Sequence, residues 1–454
     1  MTATKNSRHR VCAGLLVISL LGLGTTEAQE SSELDRALQS LEVKPENESE
    51  PTIPSDELLS GHVSDVRLRL IDIAADLLLA VGASTERDES LESLQGGGHD
   101  PRKRGFTLQS LETSFVGAVD PYFQMEAHLL FYLDPIENES VFELEEAFFT
   151  TSQLPLDLDK HGVEVEGGMF LTEFGRINPM HAHAWSWLDQ PVIHTRIFGP
   201  DGMRGIGARV GWLTPLPWFS ELHLGLQNAN GETMASFHAN DEFFEERPIG
   251  GRPFNDQEIR SLTDLAYLVR WDNGWSFSDE LSAKAGASAL FGPNATGPDG
   301  KTSVYGADVV VKWLPVTNYA GWPFVTFEAE IVRRDYYADD FDDGATVLSS
   351  QKLEDWGFYA QLLWGFTRNW STGVRYEFAG GAGESAGDFT SRDDDPFRND
   401  RHRVSPLISW NATEFSRLRL QYNFDTADHL SGNEAHSVWL GAEVLIGKHP
   451  KHQY

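Results

Sequence analysis

Arg417-Leu-Arg-Leu-Gln-Tyr-Asn-Phe424 decides how this chain is read. Successive side chains of an extended segment point to opposite faces. Leu418, Leu420, Tyr422 and Phe424 therefore share one face, and Arg417, Arg419, Gln421 and Asn423 share the other. The same alternation recurs elsewhere. Trp356, Phe358, Ala360, Leu362, Trp364 and Phe366 oppose Gly357, Tyr359, Gln361, Leu363 and Gly365. Phe123, Met125, Ala127, Leu129 and Phe131 oppose Gln124, Glu126 and His128, and Val325, Phe327, Ala329 and Ile331 oppose Thr326, Glu328 and Glu330. Each segment has one greasy and one polar face.

About 16 such segments follow one another, an even number of the kind that closes into a membrane barrel. They begin near residues 66, 106, 122, 140, 162, 205, 219, 261, 276, 303, 323, 354, 371, 402, 415 and 435. The connectors give the architecture. Turn-sized links fall at Asp120-Pro121, Pro215-Leu216-Pro217, Asp272-Asn273-Gly274, Arg368-Asn369 and Asn411-Ala412-Thr413. Between them lie long links: Thr85–Gly105, Leu171–Arg204, Asn228–Glu258, Asp335–Gln351 and Gly380–Arg401. A soluble sandwich has no reason to gather its long loops at one end. A transmembrane antiparallel up-and-down β-barrel does, with short periplasmic turns and long external loops. Trp212, Trp218, Trp271, Trp275, Trp313, Trp322, Trp364, Trp370 and Trp410 stand near strand ends, as interfacial girdles do.

The ends frame this barrel. Lys5, Arg8 and Arg10 precede an apolar run, Val11 to Gly24, with Thr26-Glu27-Ala28 as a cleavage site, so residues 1–28 read as a signal peptide. The one cysteine, Cys12, lies inside it. Residues 29–65 read as an acidic periplasmic tail, either solvated throughout or with a short amphipathic helix over Ser31–Val43, where Leu34, Leu38 and Leu41 recur at helical spacing. The barrel is expected over 66–447, and 448–454 as a C-terminal extension. The formal charge of −33 argues against nucleic-acid partners, whose phosphates it would repel.

The Leu171–Arg204 link differs from the other long ones. It carries Phe174, Arg176, His181, His183, Trp185, Trp187, Asp189, His194, Phe198 and Arg196. A loop so aromatic would leave an unpartnered apolar patch in water. It is the third long-end connector, and it is expected to fold inward and constrict the lumen. Facing it, the polar strand faces offer Glu126, Glu143, Glu145, Glu164, Glu166 and Glu221 from early strands, and Arg375, Arg403, Arg417 and Arg419 from late ones. These charges would either set up a transverse field that tunes ion selectivity or pair and solvate the lumen. Lumen positions such as Gly357, Gly365, Gly373, Ser282, Gly286 and Ser288 are small, which reads as an open pore.

His181, His183, Asp189 and His194 have ligand chemistry for zinc. His181 and His183 would share one side of an extended segment. Loop packing is the competing reading, because Trp185 and Trp187 stand among them. The acidic runs Asp339–Gly344 and Asp393–Pro396 offer oxygen ligands for calcium without the full loop spacing; solvated loops are the plainer reading. No resident cofactor is required by any of this. No arrangement of a nucleophile with a base stands out from the chain, so the expectation is a protein that is not an enzyme.

Several stretches carry a family resemblance: Glu143-Leu-Glu-Glu-Ala-Phe148, Phe174-Gly175 to Asn178, His181-Ala-His-Ala-Trp185, Asp189-Gln-Pro191, Gly211-Trp-Leu-Thr-Pro215 and Glu414 to Tyr422. Through them the chain resembles Gram-negative outer-membrane porins with 16 strands. More narrowly, it resembles a porin-like group sometimes labelled zinc-regulated outer-membrane receptors. The resemblance implies a passive channel for small hydrophilic solutes or ions, contacts with outer-membrane lipid and lipopolysaccharide, and a homotrimer as a candidate assembly. The alternatives are a plug-less channel or receptor for divalent metal and a structural, non-conducting barrel. The departure from the porin pattern is Gly447-Lys-His-Pro450, which interrupts the alternation before the terminal aromatic Tyr454.

Overall fold

A computed structural model describes residues 60–63, 66–69, 71–134 and 139–447. The expected signal peptide, most of the acidic tail and the extension after Gly447 lie outside the described residues. The strands are β1 (Asp72–Ser84), β2 (Gly105–Ala118), β3 (Phe123–Leu133), β4 (Ser140–Thr151), β5 (Val163–Leu171), β6 (Arg204–Leu213), β7 (Phe219–Asn228) and β8 (Leu265–Ser276). They continue as β9 (Leu281–Pro293), β10 (Lys301–Trp313), β11 (Phe324–Ala338), β12 (Gln351–Thr367), β13 (Trp370–Ala382), β14 (Arg401–Thr413), β15 (Ser416–Ala427) and β16 (Glu434–Gly447). Each pairs antiparallel with its chain neighbours, and β16 closes onto β1 from Ser437↔Ser84 to Gly447↔Ala74, giving a closed barrel of 16 strands. Closure leaves no unpaired edge, the condition for a sheet to cross lipid.

The face assignment follows the alternation. Leu418 and Leu420 point outward at 41% and 46% exposure, while Arg419, Gln421 and Asn423 are buried at 2% or less. Trp356, Leu362, Trp364 and Phe366 point outward, and Gly357, Tyr359 and Gln361 inward. Outward aromatics gather at two levels. Trp212, Trp218, Trp275, Trp313, Trp370 and Trp410 stand beside the short connectors, and Phe106, Phe291, Tyr305, Tyr337 and Trp356 lie toward the long ones. Amphipathic rings favour such interfacial belts.

Three boundaries differ from the expectation. The barrel starts at Asp72, because 66–69 pairs with 60–63 in a separate small hairpin. Asp272-Asn273-Gly274 is not a turn. It is paired on both sides, to Gly286–Lys284 of β9 and to Glu221–Phe219 of β7, and the connector is Phe277–Glu280. Asp272 is held in the strand by Arg270 at 2.7 Å and Lys284 at 3.1 Å, which overrides its local turn preference. Asn411–Thr413 likewise belongs to the end of β14, where the ladder is irregular, and the turn is Glu414-Phe415.

The long connectors carry short helices: α1 (Asp88–Leu94), α2 (Val192–Phe198) and α3 (Asp241–Glu246). Their apolar side chains are buried with each other and with the wall. Phe174, Ile193, Ile197, Phe198 and Met203 pack with Met234 and Phe237 and with Leu268, Leu290, Val304 and Val332 of the strands. Leu91 and Leu94 of α1 pack with Leu188 and Trp439.

The small wall residues serve this packing. A Cβ on Gly306 would meet Phe174 Cε1 at 2.7 Å, one on Gly357 would meet Ile193 Cδ1 at 3.0 Å, and one on Gly373 would meet Trp187 Cη2 at 3.0 Å. Gly441 receives Leu188 in the same way. The expectation that Gly357 and Gly373 mark open lumen is therefore corrected: they are sockets for connector side chains. Gly365 faces Trp322 and Phe324, Gly286 faces the Asp272, Arg270 and Asp308 side chains, and Ser288 Oγ accepts from Gly175 N at 3.2 Å.

Candidate functional site

The site is built from connector 172–203 and the side chains it meets. After β5 ends at Leu171, Gly175 adopts φ +63°, and a side chain there would strike the Glu330 carboxylate. Arg176 N donates to Glu330 Oε2 at 3.1 Å, and its guanidinium lies 3.4 Å from Glu328 Oε2. Phe174 is fully buried on Phe198, with ring centroids 5.0 Å apart. Pro191 precedes α2 and Gly199 ends it at φ +81°, a backbone conformation that favours glycine. Within α2, His194 Nε2 lies 3.0 Å from Glu330 Oε2, and Arg196 donates to the carbonyls of Arg398 (3.2 Å) and Asn399 (2.7 Å).

Asp189 is the polar centre of the late-strand side. It accepts from Arg403 at 3.0 Å, Gln95 at 3.0 Å, Gln421 at 2.8 Å and Asn423 at 2.7 Å, and it also pairs with Arg375. Trp187 Nε1 donates to Ser405 O at 2.9 Å beneath the Arg375 guanidinium, 5.5 Å from the ring centroid. Arg419 Nη1 donates to the carbonyls of Trp185 (2.8 Å) and Trp187 (2.9 Å), and Trp185 Nε1 to Met180 O (3.1 Å). The late arginines are thus engaged: Arg375 with Glu377 at 2.6 Å, Arg403 with Asp425 at 2.8 Å, Arg419 with Glu443 at 3.1 Å, and Arg417 with the same Glu443. Pairing and connector capture, rather than a free arginine arc, describe this wall.

The early-strand side is different. A cavity of about 950 Å³ remains there, reached by Glu126, Glu146, Glu164, Glu166 and Glu221 from the wall and by Glu173, Arg176 and His181 from the connector. Nine carboxylate side chains line it against four from arginine or lysine (Arg176, Arg209, Arg270 and Lys284). Arg209 binds Glu166 at 2.9 Å and also Glu173, while Glu143 pairs with Arg204.

The four candidate ligands do not meet. Asp189 is taken by arginines and His194 by Glu330, whereas His181 and His183 come together on a 3₁₀ turn at Ala182–Ala184 rather than on an extended segment. Their rings stack at 5.6 Å, and they meet residues the sequence did not single out as ligands: Glu112 of β2 and His128 of β3. Glu145 and Glu146 both reach His181, at 3.1 and 2.9 Å. Two consecutive residues face inward because the β3–β4 register shifts there: His128 opposes Glu146 and Leu129 opposes Leu144, leaving Glu145 as a bulge. Strict alternation cannot anticipate such a shift. Arg209, Arg270, Lys284, Glu173 and Glu330 were likewise legible only as polar-face or connector residues.

No family model matches the chain. An uncharacterized protein of Aquifex aeolicus (strain VF5) is 26% identical over 414 residues, covering 85% of this chain and 80% of that one. Among solved structures, the outer membrane channel DcaP of Acinetobacter baumannii aligns with a TM-score of 0.50 at 10% identity, over 83% of this chain and 97% of that one. An anion-selective porin from Comamonas acidovorans aligns with a TM-score of 0.48 at 8% identity, over 83% and 99%. The class is a porin-like membrane β-barrel, a fold of the bacterial outer membrane.

Proposed function

We propose that this protein is a passive outer-membrane channel for small hydrophilic solutes, without catalysis, in which connector 172–203 lies inside the lumen, narrows it and leaves a cation-preferring path. One observation carries the reading: the cavity of about 950 Å³ beside the connector, lined by more than twice as many carboxylates as arginines and lysines. In a low-dielectric wall such a charge excess concentrates cations and excludes anions. The apolar outer face with its two aromatic levels supports contact with outer-membrane lipid and lipopolysaccharide.

The test is a single-channel recording of the purified barrel in a planar bilayer under a potassium chloride gradient. The expected result is discrete conductance with a reversal potential of cation-selective sign. Replacing Pro179–Pro200 by a short glycine-serine bridge should raise conductance and weaken selectivity, since loop exchange costs little closure entropy and the ladder is self-sufficient. Anion selectivity, or a deletion that assembles and conducts like the parent, would sink the reading. Two rivals have their own observations. The dense packing of connectors 85–104, 172–203 and 229–264 favours a non-conducting barrel, and silence of the parent in the recording would select it. The histidines beside the cavity favour a channel for divalent metal, in line with the narrower resemblance to zinc-regulated receptors; permeation by zinc would select it.

A further inference from the structure

We propose that Glu112, His128, Glu145 and His181 form a binding site for one divalent transition-metal ion of the zinc class, which fastens connector 172–203 to the wall beside the cavity. Neighbouring donors around a tetrahedral zinc with bonds of about 2.0–2.1 Å stand about 3.3–3.4 Å apart. Glu112 Oε1 lies 3.2 Å from His128 Nδ1 and 3.4 Å from His181 Nδ1, and Glu145 Oε2 lies 3.1 Å from His181 Nδ1. The donor atoms of Glu112, His128 and His181 all fall within 4.8 Å of one another, and all three residues are buried.

The surroundings have the form that metal sites use. A ligating imidazole commonly presents its second nitrogen to a carboxylate, which fixes the ring and raises its basicity. His181 Nε2 faces Glu146 Oε2 at 2.9 Å, and His128 Nε2 faces Glu126 Oε2 at 3.8 Å. His183 Nδ1 holds the other oxygen of Glu112 at 2.9 Å. With neutral imidazoles, Glu112, Glu126, Glu145 and Glu146 gather four negative charges in a largely buried space, which a dication offsets. A second group of similar composition, Glu173, His223 and Asp272, lacks this property. Arg209 is on Glu173, and Arg270 and Lys284 are on Asp272, so its charge is already met.

Two imidazoles and two carboxylates suit zinc, whereas calcium needs six to eight oxygens. Three ligands come from the adjacent strands β2, β3 and β4 and the fourth from the connector. The ion would therefore cross-link the connector to the early-strand wall, as Asp189 ties it to the late-strand wall. This holds whether or not the barrel conducts.

The test uses the full folded chain in detergent, free of any polyhistidine tag and stripped with chelator. Titration with zinc chloride should show one tightly held equivalent, and calcium chloride none. Cobalt chloride should give the intense visible absorption of a tetrahedral ion with nitrogen and oxygen donors. His128→Ala with His181→Ala should lose the zinc equivalent, while His194→Ala, on α2 and away from the group, should keep it. Failure of the parent to hold zinc, the pale spectrum of hexa-aquo cobalt, or full binding by the double variant would overturn the site. The cobalt spectrum of the unaltered chain decides the matter even if the double variant does not fold.

Discussion

Asp189 and Arg403 are 214 positions apart in the chain, yet their side chains meet at 3.0 Å with both groups buried. Asp189 lies on connector 172–203 and Arg403 on β14, so this ion pair, together with the one to Arg375, ties the connector to the late-strand wall. Removing one partner of a buried pair strands the other charge, at a cost of about 3–5 kcal/mol. Here Arg403 retains Asp425 and Arg375 retains Glu377, so Asp189→Asn should destabilise the folded barrel by about 3 kcal/mol, the low end of that range. Thermal unfolding in detergent would measure it. An unchanged midpoint would mean that the pair does not hold the connector.

The two faces of β15 predict opposite outcomes at adjacent positions. Leu420 points outward and Arg419 inward. Leu420→Arg should impair membrane assembly, since arginine toward the bilayer midplane costs about 2–4 kcal/mol in a barrel. Arg419→Leu should assemble, although it loses the bonds to the Trp185 and Trp187 carbonyls. The yield of folded barrel in isolated membranes checks the order, and a reversed order would invert the wall.

Topology is testable by cysteine labelling, because the chain's sole cysteine, Cys12, lies in the segment read as a signal peptide. Cysteines at Arg260 and Asp393, exposed on long connectors, should react with a membrane-impermeant maleimide on intact cells. Cysteines at Asp279 and Glu414, on the corrected short turns, should react only after the outer membrane is permeabilised. Labelling of the second pair on intact cells would reverse the barrel.

A pH dependence follows from Asp100, on the connector between β1 and β2. Burial, and then the negative charge of Asp189, push its carboxyl up to about 7. In the unfolded chain it titrates near 3.8. The folded state therefore binds the extra proton between these values. The stability that this group contributes is present at acid pH, declines as pH rises through 7, and is absent above it. Thermal midpoints compared at pH 5 and pH 8 should show this decline, and Asp100→Asn should flatten it. An Asp100→Asn variant with the parent's slope would place the titration elsewhere.

What the sequence determined by itself is what depends on near neighbours. Alternation at Arg417–Phe424 and Trp356–Phe366 sets which side chains face out, because the strand period is two and a membrane barrel has one wet face. The strand number and the rhythm of short and long connectors follow from the same local pattern. What only the tertiary structure decided depends on residues remote in sequence or on a break in that period. Asp189 meets Arg375 and Arg403 because the connector crosses to strands some two hundred positions away. Glu145 and Glu146 both reach His181 because a register shift, set by the partner strand, turns one extra residue inward. Asp272-Asn273-Gly274 has the composition of a turn and is a strand, because ladders on both sides and buried ion pairs outweigh local preference. Gly373 reads alike in an open pore and in a packed one. A missing side chain does not say whether water or, as here, the Trp187 ring takes its place.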